Sequence, residues 1–352
     1  MPKGRGLYLH VPAAGGKTLG REDSARYRDA VLAEVELLRD LALSSETLLL
    51  SFAIGGDPLA LRSDDLASAI ERISRSFRFG PRAERTCEAN APRLDPARAR
   101  DLRLAGVERL CLTGLGSFTG QGLRAARRAL EAAGRAGFDD LAVDLPLSGP
   151  VGRPSGGADT DIRPVLDAAS HVSLVEWEGA PPADELWIEA YRRAVKRLSR
   201  SGHERYEISQ FARAGRRSRH LLLVYGGGDV IGLGAGAAST IGPIRRRNLA
   251  DRDAYSGRVR EGRSPIEEEE RLDRGAIARE KVLLGIRRVS GVPADWIEAA
   301  REGGGRQGQE AVLRGLEHAG LLRRRGARFL LTDRGILVAD AVAAELLEPG
   351  DP

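Results

Sequence analysis

At 352 residues the chain exceeds one average domain, and 42% hydrophobic against 30% charged residues exclude a disordered polymer. A net charge of +5, from 55 Lys and Arg against 50 Asp and Glu, is too small for this length to name an acidic partner, and no run of about 18 apolar residues exists to span a bilayer. The two cysteines, Cys87 and Cys111, each lie in an apolar strand-like run, read as buried thiols, and are too few for the three or four thiolates of an iron–sulfur cluster. No signal peptide is legible, because the apolar run behind Met1-Pro2-Lys3-Gly4-Arg5 ends at Pro12. A cytoplasmic protein is expected.

In chain order, Leu7 to Val11 predicts a short buried strand that Pro12 terminates. The following loop carries only Lys17 and Thr18 as polar side chains before Gly20. Gly15-Gly16-Lys17-Thr18 has the look of the end of a phosphate-binding loop, G-x-x-x-x-G-K-S/T, but the first Gly of that pattern is Val11 and Gly20 breaks the helix that should begin at the Lys. A nucleotide-binding protein using Gly16-Lys17-Thr18 is therefore the alternative reading. Helical spacing follows over 23 to 43, a strand over Thr47 to Ala53, and a helix capped by Ser63-Asp64-Asp65. A strand over Arg85 to Ala89 precedes a helix with Asp95 as cap and Pro96 at its first turn. Strands over Val107 to Leu112, Leu141 to Leu145 and His171 to Trp177 alternate with helices over Gly122 to Arg135, 161 to 169 and Asp184 to Arg200. About six βα units imply a parallel sheet with helices outside.

The strand ends carry the candidate site. Gly55-Gly56 lets backbone approach a ligand, while Glu88 and Asp144 each leave a carboxylate at the C-terminal rim of the sheet. A turn and two helix caps are the plain alternatives.

The most specific stretches come later: Tyr206-Glu207-Ile208-Ser209-Gln210-Phe211-Ala212, Ser218-Arg219-His220, and the glycine-rich run from Gly226 to Ser239. These resemble the radical S-adenosylmethionine proteins grouped with oxygen-independent coproporphyrinogen III oxidase, and within them the HemW haem-chaperone branch, whose patterns are close to Y-E-I-S-N-F-A, S-x-H-N and G-x-D-Y-x-G-x-G-x-G-A-H-S. The resemblance runs through Arg247-Asn248, Tyr255 and Gly262-Arg263-Ser264-Pro265 and covers nearly all of the chain. It implies a partial parallel (β/α)6 TIM-like barrel, the radical S-adenosylmethionine core, with a winged-helix-like C-terminal module. Laid on Tyr8-Leu9-His10-Val11-Pro12-Ala13, the family's Y-I-H-I-P-F-C-x-x-x-C-x-x-C puts its three cluster cysteines at Ala14, Thr18 and Arg21. No four-iron cluster is expected on such residues.

By the same resemblance Tyr8, Gly55, Gly56, Glu88 and Asp144 match a degenerate S-adenosylmethionine pocket, in which Asp57 stands for the Thr of G-G-G-T-P and Gly116-Ser117-Phe118 for Q-S-F. The family's H-N-x-x-Y-W becomes His220-Leu221-Leu222-Leu223-Val224-Tyr225, which keeps His220 as a candidate axial ligand of haem, and Ala238 replaces the His of G-A-H-S. A lone His is more often a hydrogen-bonded structural residue. The resemblance thus implies a haem- or porphyrin-binding protein, or a non-catalytic partner, without radical chemistry.

The glycines from Gly226 to Gly236 lack a strand-helix dinucleotide-binding context and read as a tight packed turn. Glu267 to Glu270 reads as a solvated helix start. The chain divides into a barrel over 1–215, a connecting segment over 216–262 and a winged-helix-like region over 263–352, whose final helix is expected from Asp333 to about Leu347. That last region is expected to dock a protein partner, and nucleic acid is not the expected ligand.

Overall fold

The computed structural model describes residues 4–40, 48–115, 120–148, 151, 161–175, 183–301 and 306–347. The matches at Gly116-Ser117-Phe118 and the strand end at Trp177 lie outside them. Six strand-helix units run in order: β1 (Arg5–Val11) to α1 (Arg21–Asp40), β2 (Leu49–Gly56) to α2 (Ser63–Ser76), β3 (Phe79–Asn90) to α3 (Pro96–Leu104), β4 (Arg109–Thr113) to α4 (Gly120–Arg135), β5 (Asp140–Pro146) to α5 (Arg163–Ala168), and β6 (His171–Val175) to α6 (Asp184–Arg200). Each strand pairs in parallel with the next. A parallel pair needs a long crossover, and a helix supplies it each time.

Alternation within β1 explains how the sequence selects this layer. Leu7, Leu9 and Val11 fall on one face and are almost fully buried, while Gly6, Tyr8 and His10 fall on the other and line the concave side. The first face joins Val31 and Val35 of α1 and Leu66, Ile70 and Ile73 of α2 in one core. Each such side chain contributes about 1.5–3 kcal/mol on burial.

The chain continues through β7 (Glu204–Arg205), β8 (Gln210–Ala212), α7 (Arg219–Tyr225), β9 (Val230–Leu233), β10 (Ala238–Ile241), β11 (Ile244–Asn248), α8 (Arg252–Arg260) and β12 (Ile266–Arg271). One sheet of 12 strands results, in the order β12-β11-β10-β9-β1-β2-β3-β4-β5-β6-β8-β7. It remains open, with antiparallel strands at both edges. Beyond it lie α9 (Arg274–Ile286), β13 (Val292–Pro293), α10 (Ala294–Ala300), α11 (Arg306–His318), β14 (Leu322–Arg325), β15 (Arg328–Leu331), α12 (Asp333–Ile336) and α13 (Ala339–Leu347), with a small antiparallel sheet β13-β15-β14. This is the winged-helix-like module. No helix among the described residues is long and apolar enough to cross a membrane.

Four expectations are corrected. Gly226 to Gly236 is not a mere turn, because it contains β9, parallel to β1. Glycine is required there: a Cβ on Gly232 would meet the Ala238 carbonyl at 2.3 Å, and one on Gly234, at φ +96°, would meet the His10 carbonyl at 2.3 Å. Glu267 to Glu270 is strand, not helix, because β11 offers Arg247, Arg246 and Arg245 directly opposite Glu268, Glu269 and Glu270. Opposed charges favour that pairing by about 0.2–1 kcal/mol each. Ser63 does not cap α2 from outside but is its first residue, and Asp65 pairs instead with Arg28 of α1. The last helix is two, with Thr332 capping α12 through a hydrogen bond from the Gly335 amide at 3.0 Å. Asp95, in contrast, caps α3 as its sequence implies, accepting from the Arg98 amide at 2.8 Å.

Candidate functional site

Strand register gathers the carboxylates on the concave face. His10 pairs with Gly55, and Glu88 pairs with Cys111 on the next strand. Asp144 lies on β5 beside Ser173 of β6. Gly55 is glycine for a steric reason, since a Cβ there would come within 2.6 Å of the Tyr8 hydroxyl and 3.0 Å of Glu88 Oε1. Gly56, at φ +82°, turns its amide onto Glu88 Oε2 at 3.1 Å.

Electrostatics follow from burial. Desolvation, then the charge of Asp144, pushes Glu88 up to about 7. Asp144 is also raised by burial, against hydrogen bonds from Ser173 and from the Cys111 thiol, whose Sγ is 3.5 Å from Asp144 Oδ1. Tyr8 is pushed up to about 12 by burial and then by Glu88, so its phenol keeps its proton and can only donate or accept hydrogen bonds. Tyr8, Gly55, Gly56 and Glu88 thus meet on one side of the sheet, with Asp144 close enough for its charge to act on Glu88, and both carboxylates are held more easily protonated than in water. Among the described residues no three His, Cys, Asp or Glu side chains converge to hold a metal ion.

His220 does not belong to that mouth. It lies on α7 under the start of the strands, where its Nδ1 is 2.9 Å from Ser51 Oγ. A Cβ on Gly6 would be 3.3 Å from the same nitrogen. Burial lowers its pKa, which keeps the imidazole neutral. Tyr8 links the two ends, with its ring 6.3 Å from that of His220 and 6.2 Å from that of His10. His10 was not picked out from sequence, although it lies in the Tyr8-Leu9-His10-Val11-Pro12 stretch, and its Nδ1 is 2.6 Å from the Ala235 carbonyl.

The loop after β1 decides which groups it could bind. Ala14 has no donor atom, Arg21 is an exposed cation, and the Thr18 hydroxyl accepts from Arg98 at 2.8 Å. This donor set does not fit an iron–sulfur cluster, which requires thiolates. Arginines after β3 hold this loop and the turn after β2 together: Arg93 and Arg98 both reach Thr18 Oγ1, at 3.4 and 2.8 Å, while Arg93 also grips Asp57 and the Leu59 carbonyl, to which Arg98 donates at 2.8 Å. Neither arginine carries a sequence signal for this role, because their partners are distant in the chain. The phosphate-loop reading meets a different obstacle, since the Lys17 amide already donates to the Ala14 carbonyl at 3.1 Å and the Leu19 amide to the Ala60 carbonyl at 2.7 Å. Two of the loop's amides are thus spent internally.

No family model matches the chain. It is 32% identical over 384 aligned residues to the haem chaperone HemW of Mycobacterium tuberculosis, covering 97% of this chain and 94% of that one. It is 26% identical to HemW of Bacillus subtilis, covering 89% of each. The structure of coproporphyrinogen III oxidase (HemN) from Escherichia coli, a radical SAM enzyme, superposes with a TM-score of 0.77 at 18% identity, over 98% of this chain and 90% of that one. That likeness accounts for the open barrel, its extra strands and the module behind it as one fold. With a relative at 32% identity spanning nearly the whole of both sequences, the chain belongs to the family of the haem chaperone HemW.

Proposed function

We propose that this protein handles haem as its HemW relatives are named for doing, and that it does so without reductive cleavage of S-adenosylmethionine. The observation that carries the reading is the meeting, in one chain, of a HemW sequence over 97% of its length and a first loop with Ala14, Thr18 and Arg21 at the cluster positions. The family kinship supports haem; the missing thiolates argue against the radical step.

In this reading His220 is the axial ligand. Haem supplies an iron centre that takes a neutral imidazole, and His220 is held neutral by burial. With the proton on Nδ1, donated to Ser51 Oγ, the lone pair of Nε2 is left for coordination. Tyr8, Gly55, Gly56, Glu88 and Asp144 are proposed to retain weak S-adenosylmethionine binding, Glu88 and Asp144 accepting from its ammonium group. The reading also includes a cytoplasmic setting, the division at 215 and 262, and a protein partner docked on 263–352.

Haem titration of the purified chain, followed by anaerobic iron–sulfur reconstitution with S-adenosylmethionine and a reductant, tests both halves. The expected result is a Soret shift that His220→Ala abolishes, with no four-iron absorption and no 5′-deoxyadenosine. A cluster that yields 5′-deoxyadenosine overturns the non-radical half. No Soret shift, together with ATP or GTP binding lost in Lys17→Ala, replaces the reading with nucleotide binding.

A further inference from the structure

A cavity of about 390 Å³ opens between β7 and the C-terminal module. Four arginines line it, Arg205, Arg287, Arg288 and Arg323, and Asp333 is the one acid among its lining residues. Ile286 and Leu331 give it an apolar floor.

The internal partners do not balance this charge. Arg205 donates to Asp333 Oδ1 at 2.9 Å, and Arg287 donates to Glu207 Oε1 at 2.6 Å. Among the described residues Arg288 faces the Trp296 ring, 5.9 Å from its guanidinium carbon, and no acid, and Arg328 adds a further positive charge beside it. The Nε atoms of Arg205 and Arg288 are buried without a hydrogen-bond partner among the described residues. Six other arginine Nε atoms among the described residues are likewise buried and unpartnered, so what sets this cavity apart is that neither Arg288 nor Arg323 faces an acidic partner among the described residues. A guanidinium fork matches the paired oxygens of phosphate or carboxylate, and the volume falls within the range of small-ligand pockets, about 300–1,000 Å³.

We infer that this cavity is an oxyanion site, taking a small ligand whose phosphate or carboxylate oxygens meet Arg205, Arg288 and Arg323. Its location gives binding a structural consequence. Arg288 bridges to Glu207 at the sheet, and the Ile208 amide donates to the Arg287 carbonyl at 3.1 Å, so an anion here ties the module to the barrel.

Calorimetry on the full chain with inorganic phosphate, pyrophosphate, succinate and citrate, each at millimolar concentration, tests the site. Arg323→Ala is the informative variant, because Arg323 makes no ion pair among the described residues and its removal leaves the fold's own contacts in place. Binding of at least one anion is expected, weakened about tenfold by Arg323→Ala, the loss of one charged hydrogen-bonding pair. The exposed Arg128→Ala serves as the control and should bind as the wild type does. Preference for pyrophosphate or for citrate separates a phosphorylated from a carboxylic ligand, and either supports the site. The same anion should raise the melting temperature of the wild type more than that of Arg323→Ala. No heat with any of the four anions, or equal affinity in wild type and Arg323→Ala, overturns the inference.

Discussion

A single guanidinium nitrogen of Arg93 contacts both carboxylate oxygens of Asp57, at 2.8 and 2.6 Å, in a setting where each side chain is more than four-fifths buried. Asp57 holds the position at which the family pattern has Thr, so the acid and the arginine that neutralises it form one unit beside the loop that lacks thiolates. Removing one partner of a buried pair leaves an uncompensated charge. Arg93→Ala should therefore cost about 3 kcal/mol in urea denaturation, and adding Asp57→Asn should recover part of that loss. Equal stability of Arg93→Ala and wild type would show that the pair does not hold the turn after β2.

Glu88 provides a pH test of the pocket. Burial first, and then Asp144, raise it from an ordinary 4.5 to about 7. Between those values the folded chain keeps a proton that the unfolded chain has released. The contribution of this group is thus full below about 4.5 and lost as pH rises through about 7. Glu34, also raised to about 7 by burial, slopes the same way, whereas His171, His203 and His220, all lowered by burial, slope the opposite way. The difference between wild type and Glu88→Gln cancels these. The stability of wild type relative to Glu88→Gln should fall by roughly 2–3 kcal/mol from about pH 4.5 to about pH 8. A flat difference would mean that Glu88 is not held in a desolvated pocket.

Much of this fold was legible because six strands are short apolar runs between amphipathic helices, and burial on one or both faces leaves that mark in the sequence. Leu7, Leu9 and Val11 declare β1 by themselves. β9 does not, because Gly232 within it and Gly234 just after it are required by contact with the Ala238 and His10 carbonyls, and a glycine selected for close approach looks like one selected for a turn. β12 was hidden for a different reason: Glu268, Glu269 and Glu270 form strand only against the arginines of β11, a pairing invisible to a local window. In the site, Glu88 and Asp144 were legible at strand ends, whereas Arg93 and Arg98 find Asp57 and Thr18 only through the fold.

Gly234→Ala tests the strand that the sequence concealed. The added methyl group would stand 2.3 Å from the His10 carbonyl and 2.6 Å from the Tyr27 hydroxyl, at a φ of +96° that Ala strongly resists. Backbone strain alone costs about 1–3 kcal/mol, and the carbonyl contact cannot relax without shifting β1. A loss of about 3 kcal/mol or failure to fold is expected by thermal melting, while Gly257→Ala, on an open helix face, should be within about 0.5 kcal/mol of wild type or more stable. A tolerated Gly234→Ala would refute the parallel contact between β9 and β1.

If His220 ligates haem as proposed, its contact with Ser51 decides which imidazole nitrogen is free. Only one imidazole nitrogen of a neutral histidine carries the proton, and the hydrogen bond at Nδ1 selects which. If the proton is on Nδ1, Ser51 Oγ accepts it at 2.9 Å and Nε2 presents its lone pair; if Ser51 donates instead, Nε2 is protonated and cannot ligate. Haem ligation by His220 therefore requires the first arrangement. Replacing a hydrogen-bond partner of a ligating histidine typically weakens metal binding by about 10–100-fold, so Ser51→Ala should reduce haem affinity by roughly tenfold while keeping the same Soret maximum. His220→Ala should change the Soret maximum itself. Unaltered haem affinity in Ser51→Ala, with circular dichroism unchanged, would remove Ser51 from the site, and an unaltered maximum in His220→Ala would transfer ligation to another residue.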